Sequence, residues 1–382
     1  MPTRVARDVD RVIRTVIVAG AGASLAHAQS YRPSHALFHP PLDSDFFAKA
    51  QKLAGRDPGI QSAIRHVRNR SAGLKQFDDP FALENTSLEQ YFADVYYEVA
   101  TEKGSDAFDL FIDLLLLYVK VLTATTNWMA LNRKIGDWGR LLRHELALCH
   151  DLTVITFNQD LVLENVAMGM PRSGGKWCLR SLYGTDKLSP LYARGSEPVF
   201  AHHGYSCPDA PPFRLLKLHG SLNWGVRSTT PEPKQATLFP TGERKIFMLD
   251  RRQPPDHHRM ASGAEKGRKS WYIWPLIVPP IYDKHRVTGM TVLDTVWQAA
   301  REAVEACDRL VFVGYSLPDA DIVAAQMIRR AFVSNPRLGA VECINPDVDM
   351  VGKLKSRLGC RVVKLYEDID AYIEDQDLYQ TT

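Results

Sequence analysis

Seven short runs of mostly apolar residues recur along the chain and predict the strands of one buried sheet. They are residues 16–18, 152–157, 213–218, 276–278, 310–313, 341–344 and 362–365. Uncharged runs such as the first are typical of strands that are covered on both faces. Segments of helical periodicity, such as 293–307 and 322–332, alternate with the later strands. The predicted fold is therefore α/β, a Rossmann-like parallel sheet with helices on both faces.

A long helical stretch, residues 46–150, separates the first two predicted strands. Apolar residues within 88–99 recur at spacings of three and four, which marks one face of a helix. Two overlapping capping boxes precede this helix, Thr86 with Glu89 and Ser87 with Gln90. The apolar run 108–122 contains three charged residues and is too short to cross a bilayer, so it predicts a helix buried in protein.

Three segments have no regular pattern and are predicted to be loops. Residues 26–42 are rich in His, Pro and aromatic residues and could fold over the first turn of the sheet. Residues 168–212 and 227–270 are rich in Gly, Ser, Pro and charge, which is typical of loop-rich insertions. The sequence contains no internal repeat and no obvious linker, so residues 1–382 are interpreted as a single domain.

Composition and charge narrow the functional classes. The 382 residues carry a net charge of +3, too small to argue for direct binding of nucleic acid. The six cysteines include no C-x-x-C pair, so neither a structural zinc site nor a secreted disulfide framework is expected. No metal site is predicted at His202, His203 and Cys207 or at 257–258, which lack a second ligand pair. No targeting or membrane-spanning segment is recognised, and a cytoplasmic location is expected.

The first predicted strand ends in a turn of alternating small residues, Gly20-Ala21-Gly22-Ala23-Ser24. Glycine allows a tight turn and close approach of a ligand, and a helix starting near Ser24 would direct its positive end to a phosphate. An ordinary strand-to-helix turn with Ser24 as the N-cap explains the same residues. The third glycine of G-x-G-x-x-G is replaced by Leu25, so this turn alone does not decide between the two interpretations.

Polar residues follow four more of the predicted strands. Their positions are Asn158 and Asp160, His219, Ser316 and Asn345. Ligands of open α/β sheets bind beyond the carboxyl ends of the strands. Each residue alone is typical of a turn or of the protein interior, but their coincidence at five strand ends predicts one shared crevice.

In this order the motifs resemble those of the sirtuin-like NAD-binding domain. They are Gly20-Ala21-Gly22-Ala23-Ser24, Thr156-Phe157-Asn158-Gln159-Asp160, Leu218-His219-Gly220, Gly314-Tyr315-Ser316 and Ile344-Asn345. The chain looks most similar to the bacterial branch found in antiphage defence, whose members destroy NAD. The resemblance runs from about residue 14 to about residue 365.

The resemblance implies a role for each matching residue. Gly20, Ala21, Gly22 and Ser24 would line the pyrophosphate and ribose, Gly314 and Ser316 would contact phosphate or ribose, and Asn345 would contact the adenosine ribose. Asn158 would hold the nicotinamide ribose and the attacking water, Asp160 would reach the carboxamide, and His219 would be the general base. Asp45 and Phe46 match the Asp-Phe pair that follows the glycine turn in sirtuins, at a longer spacing here.

Two departures from the sirtuin pattern bear on the reaction. Sirtuin deacylases usually carry a four-cysteine zinc module after the catalytic histidine, whereas residues 219–306 contain no cysteine. The order Phe157-Asn158-Gln159-Asp160 also differs from the Gln-Asn-hydrophobic-Asp order of deacylases. Both argue against protein deacylation and leave NAD cleavage as the expected activity, with NAD as substrate and no zinc.

The expected function is an NAD⁺ glycohydrolase that depletes cellular NAD in bacterial antiviral defence. The alternatives are a non-catalytic NAD- or ADP-ribose-binding module that controls assembly, and a protein deacylase or ADP-ribosyltransferase. The resemblance also implies a homo-oligomer and a HerA-type ATPase as a partner chain, because a toxic hydrolase must be restrained until it is needed.

Overall fold

The computed structural model describes residues 12–31, 33–74, 76–82, 86–101, 105–130, 136–170, 178–185, 188–194, 197–200, 210–228, 246–249, 272–281, 291–318, 321–338, 340–360 and 362–381. In chain order, its strands are β1 (Arg14–Ala19), β2 (Asp151–Thr156), β3 (Leu188–Arg194), β4 (Glu197–Phe200), β5 (Arg214–Lys217), β6 (Gly220–Ser228), β7 (Ile246–Leu249), β8 (Tyr272–Ile277), β9 (Arg309–Val313), β10 (Ala340–Ile344) and β11 (Val362–Tyr366).

The helices, in chain order, are α1 (Ala21–Tyr31), a 3₁₀ helix (Pro33–Phe38), α2 (Phe46–Ala54), α3 (Pro58–Gly73), α4 (Leu88–Thr101), α5 (Ser105–Ala130), α6 (Asp137–Leu148), α7 (Val162–Gly169), α8 (Leu179–Leu182), α9 (Thr291–Ala306), α10 (Ile322–Ser334), α11 (Met350–Leu358) and α12 (Ile369–Thr381).

The larger sheet is a six-stranded parallel sheet with the order β11-β10-β9-β1-β2-β5. This is the doubly wound Rossmann-like order, and the predicted α/β fold is confirmed. Helices flank the sheet: α9 packs against β5 and β1, α6 against β2, and α11 and α12 against β11. Val16, Ile17 and Val18 in the central strand are at most 2% exposed, as a strand covered on both faces requires.

The predicted helical insertion between the first two strands is present as α2 to α6. Its centre is α5, which packs against α3 and α4 and buries Leu110, Phe111 and Leu114 completely. The helix starts have local causes. Asp57 caps α3 by accepting the amides of Gly59 at 2.8 Å and Ile60 at 3.1 Å. No helix among the described residues is long and apolar enough to cross a membrane.

The capping boxes predicted at the start of α4 are formed in part. Ser87 Oγ accepts the amide of Gln90 at 3.1 Å, as the second box requires. The amide of Glu89, by contrast, donates to Asp43 Oδ1 at 2.7 Å. The segment before α2 is thereby fastened to the start of α4.

A second sheet is the main difference from the sequence interpretation. It has five strands in the order β4-β3-β7-β6-β8 and mixes parallel and antiparallel pairs. The run predicted at 276–278 as part of the one buried sheet belongs here instead, because residues 276–277 end β8, which pairs antiparallel with β6. The sequence pattern predicts loop at residues 188–194, 197–200 and 246–249, and this prediction is wrong. These strands are short, and several of them mix Pro, Gly or polar residues with apolar ones, so they do not stand out without their neighbours.

The prediction of an irregular segment at 26–42 is also wrong in part. Helix α1 continues to Tyr31, and the 3₁₀ helix covers Pro33–Phe38. Because α1 begins at Ala21, Ser24 lies inside the helix and is not its N-cap. His27 of α1 is 5% exposed and packs on the start of α6, where its Nδ1 accepts the amide of Trp138 at 3.4 Å.

Among the described cysteines, four are buried free thiols: Cys149, Cys307, Cys343 and Cys360. Burial raises the pKa of Cys307 and of Cys343 to about 12, so these two are uncharged at neutral pH and are poor nucleophiles. Cys178 is disulfide-bonded, which the cysteine spacing did not predict.

The buried His27 leads to a prediction about stability and pH. Burial lowers the pKa of His27 from 6.5 to about 4, so between these values the unfolded chain binds a proton that the folded chain does not. Stability is therefore lost as pH falls from about 6.5 towards 4, by at most about 3 kcal/mol from this group. Urea unfolding at pH 7 and pH 5 should show a smaller decrease for His27→Gln than for the wild type. His66→Gln, at an exposed position of α3, should keep the wild-type decrease. Equal decreases in wild type and His27→Gln would contradict the prediction.

Candidate functional site

Five parallel strands end level with one another at one edge of the larger sheet. Ala19 is paired with Thr156 and with Val313, Thr156 with Lys217, and Val313 with Ile344. The residues that follow these strands therefore lie along one edge, as the sequence predicted. The chain adds strands on one side of β1 as far as β5 and continues at β9 on the other side. In doubly wound sheets this switch point is where ligands bind.

The glycine turn after β1 packs directly on the turn after β9. The amide of Gly20 donates to Val313 O at 3.1 Å, and that of Gly22 to Gly314 O at 3.0 Å. Gly314 has φ +53°, and a Cβ there would lie 2.2 Å from the Ala23 nitrogen. These three glycines are thus required by backbone packing between the two turns. The amides of Gly22 and Ala23 already donate within the protein, so a phosphate at this turn would be held by other groups.

Asn158 is attached to the glycine turn through its side chain. Its Nδ2 donates to Gly20 O at 2.8 Å and to Ser24 Oγ at 2.9 Å. A carbonyl oxygen can only accept, so these contacts identify the amide nitrogen and direct Oδ1 away from the turn. Asn158 is half-buried, and its own amide donates to Thr156 Oγ1 at 3.0 Å. The structure thus brings Gly20, Ser24 and Asn158 together, with Oδ1 oriented as an acceptor.

Gln159 and Asp160, the two residues after Asn158, hold the loop in place through hydrogen bonds to the neighbouring backbone. Gln159 Nε2 donates to Val278 O at 2.5 Å and to His219 O at 3.3 Å, while its Oε1 is buried without a donor among the described residues. Asp160 is 7% exposed and uses Oδ1 to accept the amide of Val162 at 2.9 Å. One carboxylate oxygen of Asp160 is therefore engaged in starting α7.

A buried ion pair lies under this loop. Lys217 donates to Glu164 Oε1 at 2.8 Å, and the two side chains are 1% and 2% exposed. Lys217 also donates to the carbonyl oxygen of Asp160. Tyr183 OH donates to the same Glu164 oxygen at 2.9 Å, and Asn223 contacts that hydroxyl in turn. The carboxyl end of β5 is thus linked to α7 and to the second sheet.

His219 follows β5 and is 7% exposed. Its ring lies edge-on to Phe157, with the centroids 5.2 Å apart, and 6.4 Å from the ring of Trp297. Phe157 immediately precedes Asn158, so the ring contact fixes His219 beside the Asn158 loop. An imidazole enclosed by two aromatic rings is shielded from bulk water, and its charge responds strongly to nearby carboxylates.

Asp321 and Tyr315, to which the sequence pattern assigns no role, lie next to His219 and Phe157. Asp321 Oδ1 lies 3.9 Å from His219 Nε2, and Asp321 Oδ2 accepts the hydroxyl of Tyr315 at 3.0 Å. The Tyr315 ring is stacked on Phe157 at 4.4 Å, with the planes 9° apart. Tyr315 belongs to one of the sequence motifs, but the resemblance assigns it no role. Asp321 does not directly follow a strand, so the sequence pattern gave no reason to place it in the site. Only the path of the chain after β9 brings it next to His219.

The remaining predicted site residues make local contacts. Ala21 and Ser316 are exposed at the edge. Asn345 Oδ1 accepts the amide of Asp347 at 2.9 Å, the contact of a turn residue. Asp45 Oδ1 accepts the amide of Leu42 at 2.7 Å. Phe46 is fully buried in the helical insertion, with its ring 5.3 Å from that of Phe47 and 5.8 Å from that of Tyr118.

Carboxylates from separate elements approach the same region. Burial raises the pKa of Tyr118, and Asp160, Glu89 and Asp43 raise it further. Burial likewise raises the pKa of Tyr315, with additional effects of Asp321 and Glu89. The helical insertion therefore contributes Glu89 to the groups that affect Tyr315, while Arg357 lowers the pKa of the same tyrosine.

The histidines considered as metal ligands, His202, His203 and 257–258, lie outside the described residues, as does Cys207. Within the described ranges, no group of three or more His, Cys, Asp or Glu side chains is arranged to hold a metal ion.

Comparisons with protein-family models and with curated proteins find no match for this chain.

Proposed function

We propose that this chain hydrolyses NAD⁺ to nicotinamide and ADP-ribose at the carboxyl edge of the larger sheet. The observation that carries the proposal is the anchored carboxamide of Asn158. Gly20 O and Ser24 Oγ occupy its nitrogen, so Oδ1 is available to accept a ribose hydroxyl or a water molecule. His219, held beside the same loop by Phe157, supplies a group that can accept a proton near neutral pH.

The reaction suits these residue types. The bond from ribose C1′ to the pyridinium nitrogen breaks, and its electron pair leaves with nicotinamide, which becomes neutral. The water oxygen bonds to C1′ and its proton passes to His219, giving ADP-ribose. Nicotinamide is a cationic leaving group, so little acid catalysis is needed. The remaining catalytic roles are to orient the water, to accept its proton and to stabilise an oxocarbenium-like state.

The charge distribution supports the same substrate. Asp43, Glu89, Asp160 and Asp321 place carboxylates from four segments around this region. Carboxylates beside the bound nicotinamide riboside would favour its cationic ring and the positive charge that develops on the ribose during cleavage.

The sirtuin-like motifs extend the proposal to a biological role. An enzyme that destroys NAD⁺ and resembles the antiphage branch would act by depleting cellular NAD in bacterial antiviral defence. In that role it would form a homo-oligomer and respond to a second chain such as a HerA-type ATPase.

The direct test is turnover by the purified chain, alone and with the products of neighbouring genes. We expect free nicotinamide and ADP-ribose in equal amounts, without a protein acceptor, as measured by liquid chromatography. Binding of NAD⁺ without release of nicotinamide under both conditions would instead indicate the non-catalytic module. Nicotinamide release that requires an acylated or acceptor protein would indicate a deacylase or a transferase.

Asn158→Ala should lower the turnover of NAD⁺ by about 10- to 100-fold. The substitution removes Oδ1, the acceptor of a hydrogen bond near developing charge. Such a bond typically contributes about 1.5–3 kcal/mol. Ser24→Ala removes one of the two anchors and keeps Oδ1, so a smaller decrease is expected. Steady-state kinetics with a melting curve for each variant provides the measurement. Equal turnover in Asn158→Ala and wild type would exclude the proposed role of Asn158.

A further inference from the structure

A buried carboxylate faces the histidine of the candidate site. Asp321 stands at the N-cap of α10, and its Oδ1 is 3.9 Å from His219 Nε2. The two side chains are 5% and 8% exposed. The distance is that of an ion pair and is longer than a hydrogen bond. Contacts of this kind are often long without substrate and shorten when substrate binds.

The Asp321 carboxylate is not used to cap its own helix. Aspartate at an N-cap ordinarily accepts an amide of the first turn, but Asp321 makes no such bond. Its Oδ2 instead accepts the Tyr315 hydroxyl at 3.0 Å. Tyr315 stacks on Phe157, and the edge of Phe157 contacts His219. Asp321, Tyr315 and Phe157 thus form, together with His219, a closed ring of contacts.

We propose that Asp321 is a positioning residue for His219, which it orients and makes a stronger base through its negative charge. The inference rests on the proposed function insofar as His219 is the base of the reaction. An opposite charge at about 4 Å favours the protonated imidazole, so the carboxylate makes His219 a stronger base than it would be without Asp321. Asp321 supplies the negative charge, and Tyr315 orients the Asp321 carboxylate through the hydrogen bond that it donates to Oδ2.

Other charged groups in this neighbourhood come from several elements. Arg357 of α11 donates to Leu317 O at 2.5 Å and lowers the pKa of Tyr315. Glu89 of α4 raises the pKa of the same tyrosine. The Lys217–Glu164 pair lies below the loop that carries Asp160. All of these groups remain in Asp321→Asn, which keeps the size of the side chain and removes its charge. A difference between wild type and this variant therefore reports on Asp321.

The first measurement does not depend on turnover. The protein labelled at the histidine ring carbons is titrated by NMR, and the signal of His219 is identified by its absence in His219→Gln. We expect the pKa of His219 to fall by about one to three units in Asp321→Asn. The pKa of His219 should stay close to its wild-type value in Tyr315→Phe, which keeps the carboxylate and the stacked ring. An unchanged His219 titration in Asp321→Asn overturns the inference whether or not the chain hydrolyses NAD⁺.

The second measurement is the pH profile of kcat/KM for NAD⁺. Asp321→Asn should lower the plateau by about tenfold or more and shift the acid limb to lower pH, because a weaker base loses its proton at lower pH. Tyr315→Phe should lower the plateau less and leave the acid limb in place. A purely structural role would lower activity without moving the limb, and that result would overturn the inference.

The matched control is Asp349→Asn. Asp349 is also an N-cap aspartate without a side-chain capping bond, but it is exposed at the start of α11. It should leave both the His219 titration and the pH profile unchanged. A shift of the same size in Asp349→Asn would show that any helix-start carboxylate has this effect and would overturn the specific role of Asp321. An inactive wild type with the expected His219 titration would reject the hydrolase and keep the pairing.

Discussion

Replacement of His219 by alanine is expected to reduce the cleavage of NAD⁺ by about 10²–10⁴-fold, the usual value of a positioned general base. The imidazole is 7% exposed and enclosed by Phe157 and Trp297, so water in the resulting space is a far weaker base and is not oriented. NAD⁺ binding should persist, because the Asn158 loop is anchored to the glycine turn independently of residue 219.

The experiment pairs steady-state turnover with calorimetric binding of NAD⁺ to the inactive variant. His66→Ala, which replaces an exposed histidine of α3, is the control and should retain full turnover. Turnover near the wild-type rate in His219→Ala would remove His219 from the mechanism. Loss of both binding and turnover with a normal melting curve would assign His219 to substrate binding and would also contradict the prediction.

Lys217→Met is expected to destabilise the fold by about 3–5 kcal/mol. Lys217 and Glu164 are 1% and 2% exposed, so removal of the ammonium group leaves a buried carboxylate without its counter-charge. Lys217→Met combined with Glu164→Gln should recover most of the loss, because the glutamine side chain is neutral and can still accept the Tyr183 hydroxyl.

Urea unfolding of the single and double variants measures this effect. Lys353→Met breaks the half-exposed pair with Asp347 at 3.5 Å and should cost less than about 1 kcal/mol. A double variant that is as unstable as Lys217→Met would show that the ammonium acts mainly through the Asp160 carbonyl rather than through Glu164. A single variant as stable as the Lys353→Met control would contradict the argument altogether.

The parallel sheet could be predicted because its signal is local. Residues such as 16–18 and 310–313 are apolar throughout, and burial of both faces needs nothing more than this composition. The positions of Asn158 and His219 followed as well, since the carboxyl ends of parallel strands must share an edge. The second sheet could not be predicted in this way. Strands such as β4 and β7 have four residues each, and β7 pairs with strands from other parts of the chain.

The residues of the candidate site were likewise predicted only in part. Glycine at 20, 22 and 314 was noticed from sequence, but the reason for it is the contact between two turns that are nearly 300 residues apart. Asp321 was missed because an aspartate before a helix is typical of an N-cap. Its carboxylate turns towards His219 and Tyr315 only because β9 and β5 end at the same level of the sheet.

The fold class and the strand ends that carry polar groups could be predicted from local segments, because hydrophobic periodicity and the polar residues that follow each apolar run are local features. Only the folded chain shows which of those polar groups touch. The fold connects Asn158 to the glycine turn and His219 to Asp321, whereas the side chains of Asn345 and Asp45 accept amides of their own turns. Such pairings depend on side-chain direction and on packing between distant segments, which no local pattern records.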